Sequence, residues 1–469
     1  MLPPEYLARM KGQLGSSFEA YLTAMDEEPV HSLAADRRKG ICRELLPFDL
    51  SKEPVEWEPC GYYYHETELL RPGKHVLHEA GAYYIQEASA MAPARALMDG
   101  FEGDGAPYIL DLCAAPGGKS VQIGTSLGNT GLLVSNEIVP ARAQILSRNI
   151  ERMGIANAAV TNDTPAHLAD IFAGFFDGIL VDAPCSGEGM FRKNPEAVSE
   201  WSPENVGMCA ERQAVILECA YEMLAPGGRM VYSTCTFSGE EDEDMTAAFL
   251  EQHGDMRLLE QKKLMPHEVR GEGQYYAVME KSGQRVPHPS FVREQTDIIK
   301  EDPRKKKKAR GSAGPDNSEA VQVKDMLSEL LTSPLEGVIP SGSRLRRIKD
   351  SFYLVPAGID GRLGGLRVLR PGLHVADIKN GRAVPAHALS RVIRPEDAAL
   401  AVSLSEEDAA KYIEGLSIAA ENLLPAAADA DSKMQGYALV TYDDIGIGWG
   451  KITGGVLKNH YPKGLRTIL

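Results

Sequence analysis

From Tyr108 to about Lys281, short apolar runs alternate with longer amphipathic stretches. YILDL, GLLVSNE, NAAV, DGILVD and RMVYST predict strands, whereas ARAQILSRNIERMG and QAVILECAYEMLAPGG predict helices between them. Strands that alternate with helices predict an α/β core built on a parallel sheet covered on both faces. The helix ending in Leu224 is followed by Pro226, Gly227 and Gly228, residues that stop a helix and turn the chain into the next strand.

The pattern changes on both sides of this core. Residues 1 to about 90 mix short helical pieces with the aromatic run GYYYHETELLRPGKHVLHEAGAYYIQEASAM. Its rings read equally as the core of a small α+β domain or as an RNA-facing surface. After the core, QTDIIKEDPRKKKKARGSAGPDNSEA loses all apolar periodicity and predicts a linker. Its cluster Arg304, Lys305, Lys306, Lys307, Lys308 and Arg310 reads equally as a solvated tether or a polyanion contact. The expected organisation is therefore an N-terminal domain over 1–85, the α/β core over 86–285, a basic linker over 286–320, a C-terminal α/β domain over 321–395 and a last domain over 396–469.

Composition narrows the class. With 469 residues, 43% of them hydrophobic, the chain can bury several cores. No apolar stretch approaches the roughly 18 residues of a membrane span, and the first residues lack a signal-peptide pattern, so a cytoplasmic protein with no membrane partner is expected. Seven scattered cysteines contain no C-x-x-C pair, which speaks against a zinc site or a disulfide framework and for free thiols. The net charge of −16 is unfavourable for binding a polyanion. However, the segments SRLRRIKD and GRLGGLRVLRPG and the acid-free tail GKITGGVLKNHYPKGLRTIL concentrate positive charge near the C-terminus.

Four motifs carry candidate chemistry. In DLCAAPGGKS a strand turns into a helix through Pro116, Gly117 and Gly118, where backbone can approach a ligand at the carboxyl end of the sheet. A phosphate-binding G-x-x-x-x-G-K-S/T loop is disfavoured because Cys113 stands where its first glycine should be. Glu137, roughly 20 residues beyond the glycines at the end of the next strand, is placed to accept hydrogen bonds from two ribose hydroxyls. Together these indicate an adenosine-containing cofactor, and Asp163 in VTNDTP is a candidate for the adenine amino group or, equally, a turn cap. The strand ends DAPCSGEGMF and STCTFSGEEDED bring Asp182, Cys185 and Cys235 to the same crevice. Cys209 and Cys219, at helical spacing, read as small core residues.

In order, DLCAAPGGKS, NE with ARAQILSRNIERMGIAN, DAPCSGEGMFRKNP, APGGRMVYSTCTFSGEEDED and PHEVRGEGQYYAVME resemble the motifs of the Sun and nucleolar-protein family of RNA cytosine-5 methyltransferases. LPPEYLARMKGQLG, PGKH, YYIQEASAM and GWGKITGGVLKNHYPKGLR are similar to its RsmF-like branch, which acts on 16S ribosomal RNA. The resemblance implies a Rossmann-like core that uses S-adenosyl-L-methionine without a metal, an RNA-binding N-terminal domain and a PUA-like domain over 396–469. It implies that Cys113, Ala114, Ala115, Pro116, Gly117, Gly118 and Lys119 hold the methionine part, Glu137 the ribose and Asp163 the adenine. It places Asp182 beside cofactor and base and adds Arg142 as a further site residue. The partner would be 16S ribosomal RNA or the small ribosomal subunit.

A thiol suits this chemistry. Carbon 5 of cytosine is a weak nucleophile until a thiolate adds at carbon 6, and covalent addition splits one hard step into easier ones. The thiolate needs a polar or electropositive setting, which Lys119 would supply. Sequence position leaves Cys185 and Cys235 equally able to attack. The resemblance makes Cys235 the nucleophile and gives Cys185 the proton removal or adduct release. A DNA cytosine-5 methyltransferase is disfavoured because Ser186, not Gln, follows Cys185 and a second cysteine is at hand. A transfer-RNA methyltransferase and a noncatalytic RNA-binding assembly factor are the remaining alternatives.

Overall fold

The computed structural model describes residues 2–67, 71–103, 105–286, 288, 317–332, 342–419, 421, 423–425 and 435–469. The basic cluster 304–310 lies outside the described residues.

Helices α1 (Pro4–Leu14) and α2 (Phe18–Met25) bury Tyr6, Met10 and Tyr21 against Phe191, Trp201 and Phe237 of the central region. Strands β1 (His31–Ala35), β2 (Gly61–Tyr64) and β3 (Tyr83–Ile85) form an antiparallel sheet in the order β2-β1-β3, with the short α3 (Val76–Glu79) beside it. Tyr63, Tyr64, Tyr83 and Tyr84 are all buried, so the aromatic run makes core rather than an RNA-facing surface. Leu33, Tyr64 and Tyr83 share one apolar cluster with Val402, Tyr412 and Ile447, which means the two ends of the chain pack on each other.

After α4 (Ala92–Met98) comes the central sheet. Its strands β4 (Tyr108–Asp111), β5 (Leu132–Asn136), β6 (Ala158–Thr161), β7 (Phe176–Asp182) and β8 (Leu224–Thr234) run parallel. Successive side chains point to opposite faces. Leu110, Val134 and Ile179 therefore face one apolar cluster, and Ile109, Leu133 and Leu180 another. The connecting helices are α5 (Gly118–Leu127), α6 (Pro140–Arg152), α7 (Pro165–Phe172), α8 (Pro195–Glu200), α9 (Pro203–Met223) and α10 (Glu243–Gln252). In α6 a first-turn proline precedes Ala143, Leu146 and Ile150, which recur on one face and are fully buried. Ser202 caps α9 by accepting from the Asn205 amide.

Three details differ from the sequence reading. The sheet is mixed: β9 (Met256–Leu264) and β10 (Gln274–Lys281) add antiparallel strands on one side, because apolar periodicity carries no information on strand direction. The segment Pro226–Gly228 is no separate turn but an irregularity inside β8, whose pairing with β7 jumps from Leu224 to Arg229. The third concerns the C-terminal region. Strands β11 (Arg344–Ile348) and β12 (Ser351–Val355) join β14 (Leu373–Lys379) and β15 (Arg382–Pro385) in a sheet, but β13 (Val368–Arg370) leaves it to pair with β6. The central sheet thus reads β13-β6-β5-β4-β7-β8-β10-β9 and borrows its edge strand from beyond the linker.

The same docking consumes charge expected to face a polyanion. Arg346 pairs with Asp360, Arg362 lies 4.2 Å from the Phe175 ring, Arg367 contacts Asp163 and Arg370 binds Glu151. A six-stranded, mostly antiparallel sheet follows within residues 401–459. Among the described residues no helix is long and apolar enough to cross a membrane.

Candidate active site

The parallel strands end on one rim, and the chemistry-bearing residues lie just beyond their carboxyl ends. After β4 the loop Cys113–Lys119 bends into α5. Gly117, at φ +120°, holds a conformation that side chains rarely adopt, and an added Cβ there would lie 3.1 Å from Leu146. The loop is tied down from α6: Arg142 donates to the Ala115 carbonyl at 2.8 Å and Asn149 to the Pro116 carbonyl at 2.9 Å. Arg142 also lies 3.4 Å from Glu137, so it braces the loop against the β5 end.

Glu137 is 4% exposed, with one carboxylate oxygen accepting from the Val139 amide at 2.9 Å and the other lying 3.4 Å from Arg142. It retains acceptor capacity for ribose hydroxyls. Asp111, under the loop, is fully buried and receives the Ser120 hydroxyl on one oxygen, whereas its other oxygen has no partner among the described residues. Burial pushes its pKa up to about 7. A ligand bearing an ammonium group and a ribose fits this donor set: an orphaned buried carboxylate oxygen, the amide-rich start of α5 and an acid at the β5 end.

Asp163 is placed differently. Its carboxylate accepts from the Thr164 and Arg367 amides and from the His167 ring, with the Arg367 side chain at 3.4 Å, and these contacts outweigh burial to hold its pKa low. It is 1% exposed, and its side chain serves the junction with β13. Its oxygens are engaged by Thr164, His167 and Arg367, and the cap of α7 is the neighbouring Thr164. Sequence reading could not foresee this, because Arg367 is 204 residues away.

Asp182, at the end of β7, collects donors from three other elements. Lys119 of α5 binds one oxygen at 2.8 Å, while Ser233 of β8 and Gln274 of β10 bind the other at 2.8 and 3.1 Å. Burial disfavours the Lys119 charge, but Asp182, through charge and hydrogen bond, outweighs it and holds the proton more tightly. The electropositive group expected beside the thiol is thus paired with Asp182. Ser233 and Gln274 were not singled out from sequence. Their signals lie in the segments STCTF and GEGQYYAV.

Cys185 and Cys235 face each other with sulfurs 3.4 Å apart. Their loops are joined directly, since the Gly189 amide donates to the Cys235 carbonyl at 2.8 Å. Behind Cys185, buried Glu241 accepts from the Ser186 amide, the Ser186 hydroxyl and Gln213, which fixes that loop. Glu241 also went unnoticed, although it lies in SGEEDED. The hydrogen bond to Cys235 is the main cause that pushes the Cys185 thiol well up, followed by burial. Cys113 is pushed up as well, by burial and then by Asp111, Asp182 and Glu137, so it stays a thiol. Cys209 is buried in α9, as a core residue.

Comparison with known proteins agrees with this architecture. The family model described as 16S rRNA methyltransferase RsmB/F matches residues 101–290. Those described as the N-terminal domain of 16S rRNA methyltransferase RsmF, the RsmF rRNA methyltransferase first C-terminal domain and the methyltransferase RsmF PUA domain match residues 2–88, 330–392 and 399–467. Ribosomal RNA small subunit methyltransferase F of Vibrio atlanticus is 30% identical over 478 residues, spanning 99% of this chain and 97% of its own. The protein of that name from Salmonella paratyphi A is 30% identical over 492 residues, with 99% and 96% covered. Among solved structures, a methyltransferase homolog protein from Pyrococcus horikoshii matches with a TM-score of 0.51 at 23% identity, covering 60% of this chain and all of its own. NSun6 from Pyrococcus horikoshii, solved with SFG, matches with a TM-score of 0.52 at 20% identity, covering 60% of this chain and 99% of its own. These structures share the fold of the central region.

Proposed function

Because the chain belongs to the RsmF family of 16S rRNA methyltransferases, we propose that it methylates carbon 5 of a cytosine in 16S ribosomal RNA, with Cys235 as nucleophile and Cys185 as its partner in proton transfer. The enzyme is an S-adenosylmethionine-dependent rRNA methyltransferase with a Rossmann-like core and a C-terminal PUA domain. The reading places it in the cytoplasm with its RNA, free or within the small ribosomal subunit.

The Cys113–Lys119 loop, Asp111 and Glu137 would hold the cofactor, which supplies an electrophilic methyl group when bound. The target base has to leave its stack to reach the thiols. Cys235 then adds to carbon 6, forming a carbon–sulfur bond and driving the ring's electron pair toward carbon 5. Lys119, held by Asp182, supplies positive charge on this rim, the setting that favours a thiolate.

The contact with Cys235, ahead of burial, raises the Cys185 pKa and favours Cys185 as the protonated partner. Once Cys235 is alkylated by the base, this contact no longer raises the Cys185 pKa. Cys185 then ionises more readily, losing its proton to water, at the stage when a base must take the proton from carbon 5. Removal of that proton returns the electron pair, the carbon–sulfur bond breaks and Cys235 leaves as a thiolate. The observation that carries the assignment is the 3.4 Å sulfur pair, whose contact raises the Cys185 pKa.

Bisulfite sequencing of 16S ribosomal RNA from cells with and without the gene tests the reaction. One or more cytosines protected only when the gene is present is the expected result, and identical patterns would overturn the reading.

A further inference from the structure

A cavity of about 680 Å³ opens where the C-terminal half of α6, the β14–β15 sheet and the PUA domain meet. Arg142, near the start of α6, braces the cofactor loop, whereas Ser147, Arg148, Asn149, Glu151 and Arg152 line this cavity, Asn149 also donating to that loop. Asp182, Cys185 and Cys235 are not among the residues that line it, so the cavity is distinct from the cysteine site.

Its charge runs against that of the whole chain. Five cations, Arg148, Arg152, Arg370, Lys379 and Arg391, line it against three carboxylates, Glu79, Glu151 and Asp377. Glu151 is taken by Arg370, and Asp377 by His374 and Lys379. Arg152 and Arg391 each spend a guanidinium nitrogen on a backbone carbonyl, of His78 and Gly446, and Glu79 is the one carboxylate left near them. Arg148 is exposed, with no carboxylate within ion-pair distance among the described residues. Beneath this cluster Lys39 is so crowded by burial and by Arg38, Arg391 and Arg152 that its pKa drops to about 7, although Asp36 opposes the shift.

The cavity also contains unmet hydrogen-bonding capacity. Among the described residues, both ring nitrogens of His387 are shut off from solvent without a partner, and so is Nε of Arg391. Burial and Arg391 keep the His387 ring neutral. A neutral imidazole carries one donor and one acceptor. A bare anion would satisfy the guanidinium groups but could not serve both imidazole nitrogens. A group with an anionic oxygen beside paired donors and acceptors does both, and a nucleoside phosphate is such a group. The volume is that of an ordinary small-molecule site.

We propose that this interdomain cavity binds one nucleotide of the RNA substrate, its phosphate toward Arg148 and Arg391 and its base or ribose on His387. The inference rests on the reading that the enzyme acts on RNA. The cavity forms only where the C-terminal domains dock on α6, so the nucleotide would couple that docking to substrate capture.

Full-length protein with Arg148→Glu or His387→Phe provides the test. Affinity for a fluorescently labelled 16S ribosomal RNA fragment should fall at least tenfold, with KM for RNA raised and kcat at saturating RNA unchanged. Cofactor affinity and thermal melting should match the wild type, and 4-thiouridine cross-links should map to peptides within 370–391 or 449–462. Arg148→Glu, on the surface, remains informative if His387→Phe does not fold. Unchanged RNA affinity in Arg148→Glu, with cross-links elsewhere, would overturn the proposal while wild-type methyl transfer still supports the enzyme reading. Absent methyl transfer by the wild type would instead defeat that reading. Calorimetry with cytidine or adenosine monophosphate forms the second arm. Tight binding that both variants abolish, with RNA affinity intact, would assign the cavity to a free nucleotide and overturn the RNA source.

Discussion

The sulfur atoms of Cys185 and Cys235 lie 3.4 Å apart although 50 residues separate them in the chain. The contact breaks the symmetry that sequence position leaves between them, because it raises the Cys185 pKa and so favours Cys185 as the proton carrier. Cys235→Ala should bind RNA and cofactor but form no covalent adduct. Cys185→Ala should attack and transfer the methyl group yet resolve slowly, accumulating a protein–RNA species on denaturing gels. With 5-fluorocytosine in the RNA, peptide mapping of the trapped wild-type species should find the base on Cys235, and finding it on Cys185 would reverse the roles.

Glu137 and Asp163 can be separated by calorimetry. Glu137→Ala should weaken cofactor binding by about 1–3 kcal/mol, the scale for a hydrogen bond to a charged group. Asp163→Asn should leave cofactor affinity within about 0.5 kcal/mol and instead lower the melting temperature, since its carboxylate serves Arg367 and His167. Equal losses of affinity in both variants would put Asp163 back in the site.

Asp111 has its pKa raised in the folded state from 3.8 to about 7, so the native protein binds the extra proton. Its sign is that of a destabilising carboxylate: the cost is absent below about pH 4, grows between the two values and is fully present above about pH 7. Asp111→Asn should therefore stabilise the cofactor-free protein at pH 8 by up to about 4 kcal/mol, with the gain fading toward pH 4. The same substitution should weaken cofactor binding. Denaturant melts across this pH range check the first outcome and calorimetry the second.

Lys119 carries the opposite consequence. Its folded-state pKa lies above the ordinary lysine value, so the stability gained from the contact with Asp182 is fully present below about pH 10 and lost as pH rises through the raised value. Asp182→Ala should remove this alkaline dependence from pH melts, cost about 1–3 kcal/mol at neutral pH and abolish methyl transfer by disordering Lys119, Ser233 and Gln274 together. Retention of near-wild-type activity would remove Asp182 from the site.

Deleting everything after about Val321 should do more than weaken RNA binding. The truncation strips β13 from the central sheet and removes Arg367 and Arg370 from Asp163 and Glu151. A fall in melting temperature of about 5 °C or more is expected, reflecting a loss of a few kcal/mol. A truncated protein that melts like the full chain would show that this edge is dispensable.

Much of this protein is settled locally. Alternating apolar runs set the strands β4 to β8, because one buried face per side demands that spacing. The loop Cys113–Lys119 and the acid Glu137 are legible because a strand-to-helix turn requires glycines and a strand end presents its acid to the same rim. What brings Cys185 against Cys235 is not local: the contact joins residues beyond two strand ends, and no periodicity encodes it. The same holds for Asp182, whose three donors come from α5, β8 and β10. Asp163 shows the limit most plainly. A short loop in VTNDTP offers an acid of the right type, and only the tertiary structure brings Arg367 across to occupy it. The edge strand β13 and the cation-rich cavity likewise depend on domains separated by a linker meeting in space, where charge complementarity between distant residues decides the outcome.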